Sequence, residues 1–384
     1  MDKPSNHIVI VAGEDSGDLH AALLVKALRE INPDLTFSGL GGPKMRAAGV
    51  ELYTDFTKMA VVGYWEVLKN YGKFREIFHF ILRKIRELQP AAVVLVDYPG
   101  FNLRLAKKLQ PLPTKVVYYI SPQVWAWKTK RVHEIKATVD RMLVLFEFEK
   151  KFYARFGVDV DFVGHPLVDT VRTDRSPHEV LREIGLPEDR TTIGLLPGSR
   201  IKEIERHLPV MVAAAEQLHR ELPVQFVLIK APSISRALID ETLRGAELEI
   251  PVVEDGIYNT IGACDICLVS SGTATLEVAI LGKPMVVMYK TSLPTWLLAK
   301  IFVKIPHIAL ANVVGQREVV PELLQYDATP KALAAKVKEF FSDEIRIARM
   351  KEELKDVVES LGTSPASRAA AESVLKTLNQ PQTH

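Results

Sequence analysis

A chain of 384 residues with 47% hydrophobic and 25% charged side chains has the composition of an ordinary globular protein and the length of two domains. Its formal charge of +2 is too small to point to nucleic acid, although net charge says nothing of local patches. The polar start 1–6 and the short apolar run His7–Ala12, ended by Gly13, do not make a signal peptide, and no run of about 18 apolar residues offers a membrane span.

In chain order, the first half opens with strand His7–Ala12, a glycine-bearing turn (Gly13-Glu-Asp-Ser-Gly17) and a helix from about Asp18 to Ile31. Strands follow at Thr36–Leu40, Ala92–Val96, Lys115–Ile120, Arg141–Val144 and Asp161–Val163, with helices over roughly Trp65–Leu88 and Arg131–Ala137. The second half repeats the pattern. Strand Thr192–Leu196 leads through Pro197-Gly-Ser-Arg200 into a helix ending near Leu222, then come strands Gln225–Ile229, Ile266–Val269 and Pro284–Met288. The stretch Pro330–Leu378 reads as helices. Apolar strands alternating with helices predict an α/β fold: two doubly wound, Rossmann-like domains of parallel sheet, with a cleft between them. The hinge is expected after Gly164-His-Pro166, where Asp169–Pro177 is polar and aperiodic, dividing the chain into 1–168, 169–352 and a helical segment 353–384. The two cysteines, Cys264 and Cys267, lack a second ligand pair, and Cys267 lies within an apolar run. They read as reduced structural thiols of a cytoplasmic protein rather than a zinc or redox centre.

Strand-end loops form the ligand crevice of such sheets. The run Asp265–Glu277 reads as a buried strand, a Ser-Gly turn and a helix whose first N–H groups form an anion site. Glu277 then lies ~6 Å along the helix axis, at ~1.5 Å rise per residue, the reach from a diphosphate to its ribose. The plainer alternative is a solvated helix carboxylate. Gly198, Ser199 and Arg200 follow an apolar strand of the same half: small residues admit a phosphate, and the guanidinium offers it a charged fork. With Ser271, Gly272 and Thr273 they suggest half of a nucleotide-sugar site. In the first half Asp97 directly follows an apolar strand, in position either to accept a proton from a substrate hydroxyl or to cap a turn. Glu14 and Ser16 occupy the loop after the first strand, as contacts to a polar ligand or as helix caps. His165, beside the hinge, reads as structural rather than catalytic, and Asp159 and Asp161 as a solvent face rather than a metal pair. Trp65–Leu88 combines an apolar face with excess Lys and Arg, and Trp296–Lys304 has the same character. Each is either a core-packed helix or a contact to anionic lipid.

Together these motifs resemble the lipid-A-disaccharide synthase family. The resembling pieces are Val11-Ala-Gly-Glu-Asp-Ser-Gly-Asp18, Gly41-Gly-Pro43, Val62-Gly63 with Glu66-Val67, Asp97-Tyr-Pro-Gly-Phe-Asn102 and Tyr119-Ile-Ser-Pro-Gln-Val-Trp-Ala-Trp127. They continue through Lys130-Arg-Val132, Phe148-Glu-Lys150, Phe162-Val-Gly-His165, Leu195-Leu-Pro-Gly-Ser-Arg200, Ser271-Gly-Thr273 to Leu276-Glu277, Leu281 to Pro284, and Asn312 with Arg317-Glu318. The resemblance implies a GT-B fold, inversion at the anomeric carbon, no metal and no cofactor. It implies transfer of diacylglucosamine from UDP-2,3-diacylglucosamine to the 6-hydroxyl of 2,3-diacylglucosamine 1-phosphate (lipid X), giving a β-1,6 disaccharide 1-phosphate and UDP. Domain 1–168 then becomes the acceptor-binding, membrane-facing domain, with Asp97 as base and Glu14 and Ser16 on the acceptor side. Domain 169–352 binds the UDP-sugar through Gly198, Ser199, Arg200, Ser271, Gly272, Thr273 and Glu277, with Asn312, Arg317, Glu318 and Gln325 also implicated. Segment 353–384 packs back on the first domain, or is exchanged with a partner in a homodimer, as in some members. Some members carry a second Asp where this chain has Gly100, so Asp97 is expected to serve alone. The implied location is the cytoplasmic surface of the inner membrane, held peripherally. Two rivals stay open: a UDP-sugar 2-epimerase of the same fold, and a non-catalytic membrane-surface protein that binds nucleotide sugars.

Overall fold

The computed structural model describes residues 6–57, 71–302, 305–362 and 365–380. It divides into two compact units, Met1–Asp169 with Leu361–His384, and Thr170–Ser360. The first carries seven strands: β1 (His7–Ala12), β2 (Thr36–Gly41), β3 (Glu51–Asp55), β4 (Ala92–Val96), β5 (Lys115–Tyr119), β6 (Arg141–Val144) and β7 (Val160–Phe162), in the order β3-β2-β1-β4-β5-β6-β7. The second carries β8 (Thr191–Leu196), β9 (Val224–Ile229), β10 (Val252–Val253), β11 (Ile266–Ser270), β12 (Met285–Tyr289) and β13 (Glu322–Leu324), in the order β10-β9-β8-β11-β12-β13. The central pairs β1–β4 and β8–β11 are parallel. They mark the points where strand order reverses, and there the loops at the carboxyl ends splay apart to leave a crevice.

The central strands are buried along nearly their whole length: all five residues of β4, and five of six in both β1 and β8. A continuous apolar run suits a strand covered on both faces. Over β4, helix Tyr71–Leu88 packs Ile81 and Ile85 with no exposed surface, beside Phe74 and Phe78. Full burial of such side chains is worth about 1.5–3 kcal/mol each. Phe101 lies 5.0 Å from Phe56 and 5.4 Å from Phe78 between ring centroids, tying this helix to helix Pro99–Leu109.

Several details depart from the sequence reading. The first helix is Asp15–Ile31, three residues longer at its start than expected, so Ser16 falls in its first turn and Glu14 takes the N-cap position without a side-chain cap. Strands β3, β10 and β13 were not anticipated; each ends a sheet and is short or partly polar, so its apolar signal is weak. The expected boundary at 353 falls inside helix Glu344–Glu359, which belongs to the second unit and buries Leu354 and Val357. The return to the first unit begins at Leu361, where His165 N–H donates to the Leu361 carbonyl at 2.8 Å and helix Ala366–Leu378 follows. The part of the expected Trp65–Leu88 helix before Tyr71, including Trp65, lies outside the described residues. Among the described residues no helix is long and apolar enough to cross a membrane. Cys264 and Cys267 are buried free thiols.

Candidate functional site

In the first unit Ala12 pairs with Val96, so the turns that follow β1 and β4 sit side by side. The chain leaves β4 through Asp97 and Tyr98, both left-handed at φ 47° and 46°. Neither is glycine, so the turn stores strain of ~1–3 kcal/mol per residue, which the surroundings must hold. They do so from several sides. Asp97 N–H donates to the Tyr119 carbonyl at 2.9 Å, and its own carbonyl accepts from Asn102 Nδ2 at 2.7 Å and Tyr118 Oη at 2.6 Å. Asn102, fully buried, also donates to the Val96 carbonyl at 3.1 Å. Gly13 completes the packing, because a Cβ there would lie 2.5 Å from the Tyr98 ring. The Asp97 carboxyl is raised to about 6, first by burial and then by the nearby Glu14 carboxylate, against a lowering contact from the Tyr98 N–H. A carboxyl with that pKa is ionised at neutral pH yet a better base than an exposed one. A Cβ on Gly100 would meet nothing within 4 Å, so a second side chain has room there.

The neighbouring motifs account for one another. Asp18 is buried and caps helix Pro43–Ala47 by accepting from Gly42, Lys44 and Met45 N–H at 2.8–3.0 Å. Glu149 accepts from Trp125 Nε1 at 3.1 Å and from Leu145 and Phe146 N–H at 3.2 Å, pinning the Trp-bearing loop to helix Glu147–Ala154. Burial raises Glu149 to about 7. His165 is buried and held neutral, lowered to about 3 by burial, and its Nδ1 accepts from Leu167 N–H at 3.2 Å, which is a structural role. Asp159 and Asp161 pair with Arg141 at 3.1 and 3.6 Å. Among the described residues no three His, Cys, Asp or Glu side chains group as metal ligands.

In the second unit Leu196 pairs with Val269, which sets the turn after β8 against the turn after β11. Between them lies a cavity of about 310 Å³ lined by Gly198, Ser199, Arg200, Ser270, Ser271, Gly272, Thr273 and Glu277, with Ile257 and Ile261 forming apolar wall. Seven residues read from sequence as nucleotide contacts therefore converge. Gly198 sits at φ 123°, and a Cβ there would fall 2.5 Å from Glu203 Oε2, so only glycine fits. Glu203 in turn accepts from Ser199 N–H at 3.0 Å and from Arg200 Nη1 at 2.9 Å, holding the guanidinium at the cavity edge. Ser271 Oγ donates to the Ile308 carbonyl at 2.9 Å. Ser270 Oγ is buried without a hydrogen-bond partner among the described residues. Glu277 accepts from Tyr258 Oη at 3.2 Å, and burial raises its pKa.

Four expected contacts do not line this cavity. Asn312 is fully buried, and its amide is spent on Val320 carbonyl, Glu322, and the N–H groups of Val319 and Val320 at 2.7–2.8 Å. It supports the site from behind: Glu322 also accepts from Ile308 and Ala309 N–H, and Ile308 receives Ser271. Gln325 grips Thr291 through both its amide atoms, at 2.9 and 2.7 Å. Arg317 pairs with Asp356 at 3.2 Å, and Glu318 lines a separate cavity with Arg346 and Arg349. A polar run does not reveal which of its members face inward. Conversely, sequence reasoning missed Glu203, Tyr258, Asn102 and the cavity-lining Lys230, which donates to the Ile234 carbonyl at 2.7 Å and pairs with Glu254 at 3.2 Å. Lys230 directly follows an apolar strand, the same signal that marked Asp97.

Comparison with known proteins agrees with this architecture. The calicheamicin glycosyltransferase CalG4 superposes with a TM-score of 0.61 at 14% identity, covering 98% of this chain and 99% of that one. The UDP-GlcNAc 2-epimerase from Neisseria meningitidis gives 0.64 at 14% identity, covering 96% and 100%. At such identity the likeness is one of fold, and the fold is GT-B. Sequence relatives say more. The lipid-A-disaccharide synthase of Geobacter metallireducens is 43% identical over 378 residues, 98% of each chain. Lipid-A-disaccharide synthase 1 of Legionella pneumophila is 42% identical over 364 residues, 94% of this chain and 95% of that one. The family model described as lipid-A-disaccharide synthetase matches residues 8–377, so this chain belongs to that family of glycosyltransferases of lipid A biosynthesis.

Proposed function

We propose that the protein transfers 2,3-diacylglucosamine from its UDP derivative to the 6-hydroxyl of 2,3-diacylglucosamine 1-phosphate, with inversion and without a metal. The observation that carries this reading is the family match along residues 8–377. The geometry supports the residue roles. Asp97 accepts the proton of the acceptor hydroxyl while that oxygen attacks the anomeric carbon, and the bond from that carbon to the diphosphate oxygen breaks. The electron pair leaves with UDP. Arg200 and the N–H groups at the start of helix Ala274–Ile280 meet the charge that grows on the diphosphate. Glu277 takes the ribose hydroxyls, and Ser270 Oγ gains a ligand oxygen as partner. Glu14 and Ser16 are both exposed beside the Asp97 turn, on the acceptor side.

The acyl chains motivate a peripheral attachment to an anionic bilayer through the first unit. Helix Tyr71–Leu88 borders a groove of about 760 Å³ lined by Tyr53, Ile77 and Phe80 together with Arg75, His79 and Arg83, which suits an acyl chain beside an anionic group. A homodimer by exchange of C-terminal segments belongs to the same reading, since helix Ala366–Leu378 packs on helix Asp15–Ile31 of its own chain. The epimerase alternative shares only the fold. Purified protein incubated with both lipid substrates and a chelator is expected to yield the disaccharide 1-phosphate and UDP by mass spectrometry. Absence of that product, with the donor bound, would reject the reaction.

A further inference from the structure

Helix Leu293–Phe302 takes no part in the steps proposed above, and its outer edge is unusual. Leu293 and Leu297 are 53% and 60% exposed, and Lys300 is exposed as well. Positions i, i+4 and i+7 fall within an arc of about 60° on a helix, so two leucines and a lysine share one edge. Scattered exposed leucines are common; two on adjacent turns, ending in a cation, are not scattered. Lys300 Nζ also lies 5.4 Å from the Trp296 ring centroid. No Asp or Glu occurs from Val278 to Arg317, so nothing in this stretch would repel an anionic surface.

The loop that leads into the helix is braced at Lys290 and Thr291. Ser270 pairs with Met288, so the chain emerging from β12 lies at the same sheet end as the nucleotide cavity. Gln325 binds both the N–H and the carbonyl of Thr291, and Lys290 Nζ donates to the Ala328 carbonyl at 3.1 Å. His207 bridges the two loops: Nδ1 contacts the Pro197 carbonyl at 3.0 Å, and Nε2 accepts from Lys290 N–H at 3.0 Å. The apolar edge therefore starts two residues beyond a braced loop at the nucleotide end of the sheet.

We infer that helix Leu293–Phe302 is a lipid contact of the second unit, laying its Leu293–Leu297 edge into the headgroup region of an anionic bilayer with Lys300 at the lipid phosphates. Interfacial helices combine this apolar edge with a cation that reaches the headgroups. The inference rests on the reading that the donor carries acyl chains: a tethered contact beside the nucleotide cavity would hold that cavity at the surface from which such a donor is drawn.

The test uses the full chain and vesicles of phosphatidylcholine with or without phosphatidylglycerol. Leu297→Cys labelled with a polarity-sensitive dye is expected to shift to the blue on the mixed vesicles; both native cysteines are buried. No shift, under conditions where the protein co-sediments with vesicles, would overturn the inference. Leu293→Ser with Leu297→Ser is expected to weaken vesicle binding about tenfold, with UDP affinity by calorimetry unchanged. Binding within twofold of the parent overturns it, as does a change from dimer to monomer with vesicle binding retained, which would make the edge a self-association surface. Lys300→Gln is expected to lose about fivefold on mixed vesicles and nothing on neutral ones. Failure of the proposed reaction would appear separately, as no disaccharide from the parent protein whatever its vesicle binding.

Discussion

At the end of β4 the backbone turns through Asp97 and Tyr98, both left-handed, whereas at the end of β8, on the other side of the second sheet's switch point, the turn places Gly198 at φ 123°. The first turn carries a side chain at its strained position, the carboxyl proposed above as the base. It tolerates the strain because Asn102, Tyr118 and Tyr119 hold the surrounding backbone groups. The second needs the absence of one, because the Glu203 carboxylate fills the space a Cβ would take. The two switch-point turns thus place opposite steric demands on the residue that leaves the strand.

The contrast has measurable consequences. Asp97→Ala is expected to lower turnover by ~10²–10⁴ while UDP binding stays intact; near-normal turnover would remove Asp97 from the mechanism. Arg200→Ala should leave the first unit's chemistry alone and weaken UDP binding roughly thirtyfold, the loss of about 2 kcal/mol from a charge-assisted hydrogen bond. Unchanged affinity by calorimetry would count against the guanidinium. Asn102→Ala is expected to destabilise the protein by about 2 kcal/mol in urea titration, with turnover reduced because the Asp97 turn relaxes. Full activity in that variant would show that the turn holds itself.

A smaller effect concerns pH. The Asp97 pKa of about 6 exceeds the ordinary carboxyl value of 3.8, so the folded protein keeps that proton longer than the unfolded chain. Its contribution to stability is therefore complete below pH ~4, declines as pH rises through ~6, and is flat above. Asp97→Asn removes the decline and is expected to be more stable than the parent at pH 7.5 by about 1 kcal/mol, after allowance for solvent screening. Equal stability differences at pH 4.5 and 7.5 would argue against a raised pKa. Glu149, raised to about 7, adds its own slope of the same sign, so the parent must be compared at each pH. Smallest of all, Glu14→Gln removes the second cause of the Asp97 shift and should move the acidic limb of kcat/KM to lower pH by a fraction of a unit; an unmoved limb would place Glu14 outside its field.

Much of this was legible beforehand in the residues themselves. Apolar runs leading into Asp97, the Pro197–Arg200 turn and the Ser270–Thr273 turn located the strand ends, since a strand buried on both faces is largely apolar. The run Asn312–Gln325 was less transparent. The family resemblance implicated Asn312 and Gln325 in the site, and the fold places both as buried braces of the Ser271 and Lys290 loops. A buried amide and a ligand-facing amide look alike in one dimension, because both require hydrogen-bond partners and only the third dimension says whose.

Local chemistry thus carried the α/β alternation, the two strand-end loops and the residue types that line the second unit's cavity, because strand burial and glycine freedom are properties of a few adjacent residues. The elevated pKa of Asp97, the strain of its turn and the Glu203 latch arose only from residues brought together across the fold. Charge, burial and hydrogen bonding act through space, and their sources here include side chains as far apart in the chain as Glu14 and Asp97.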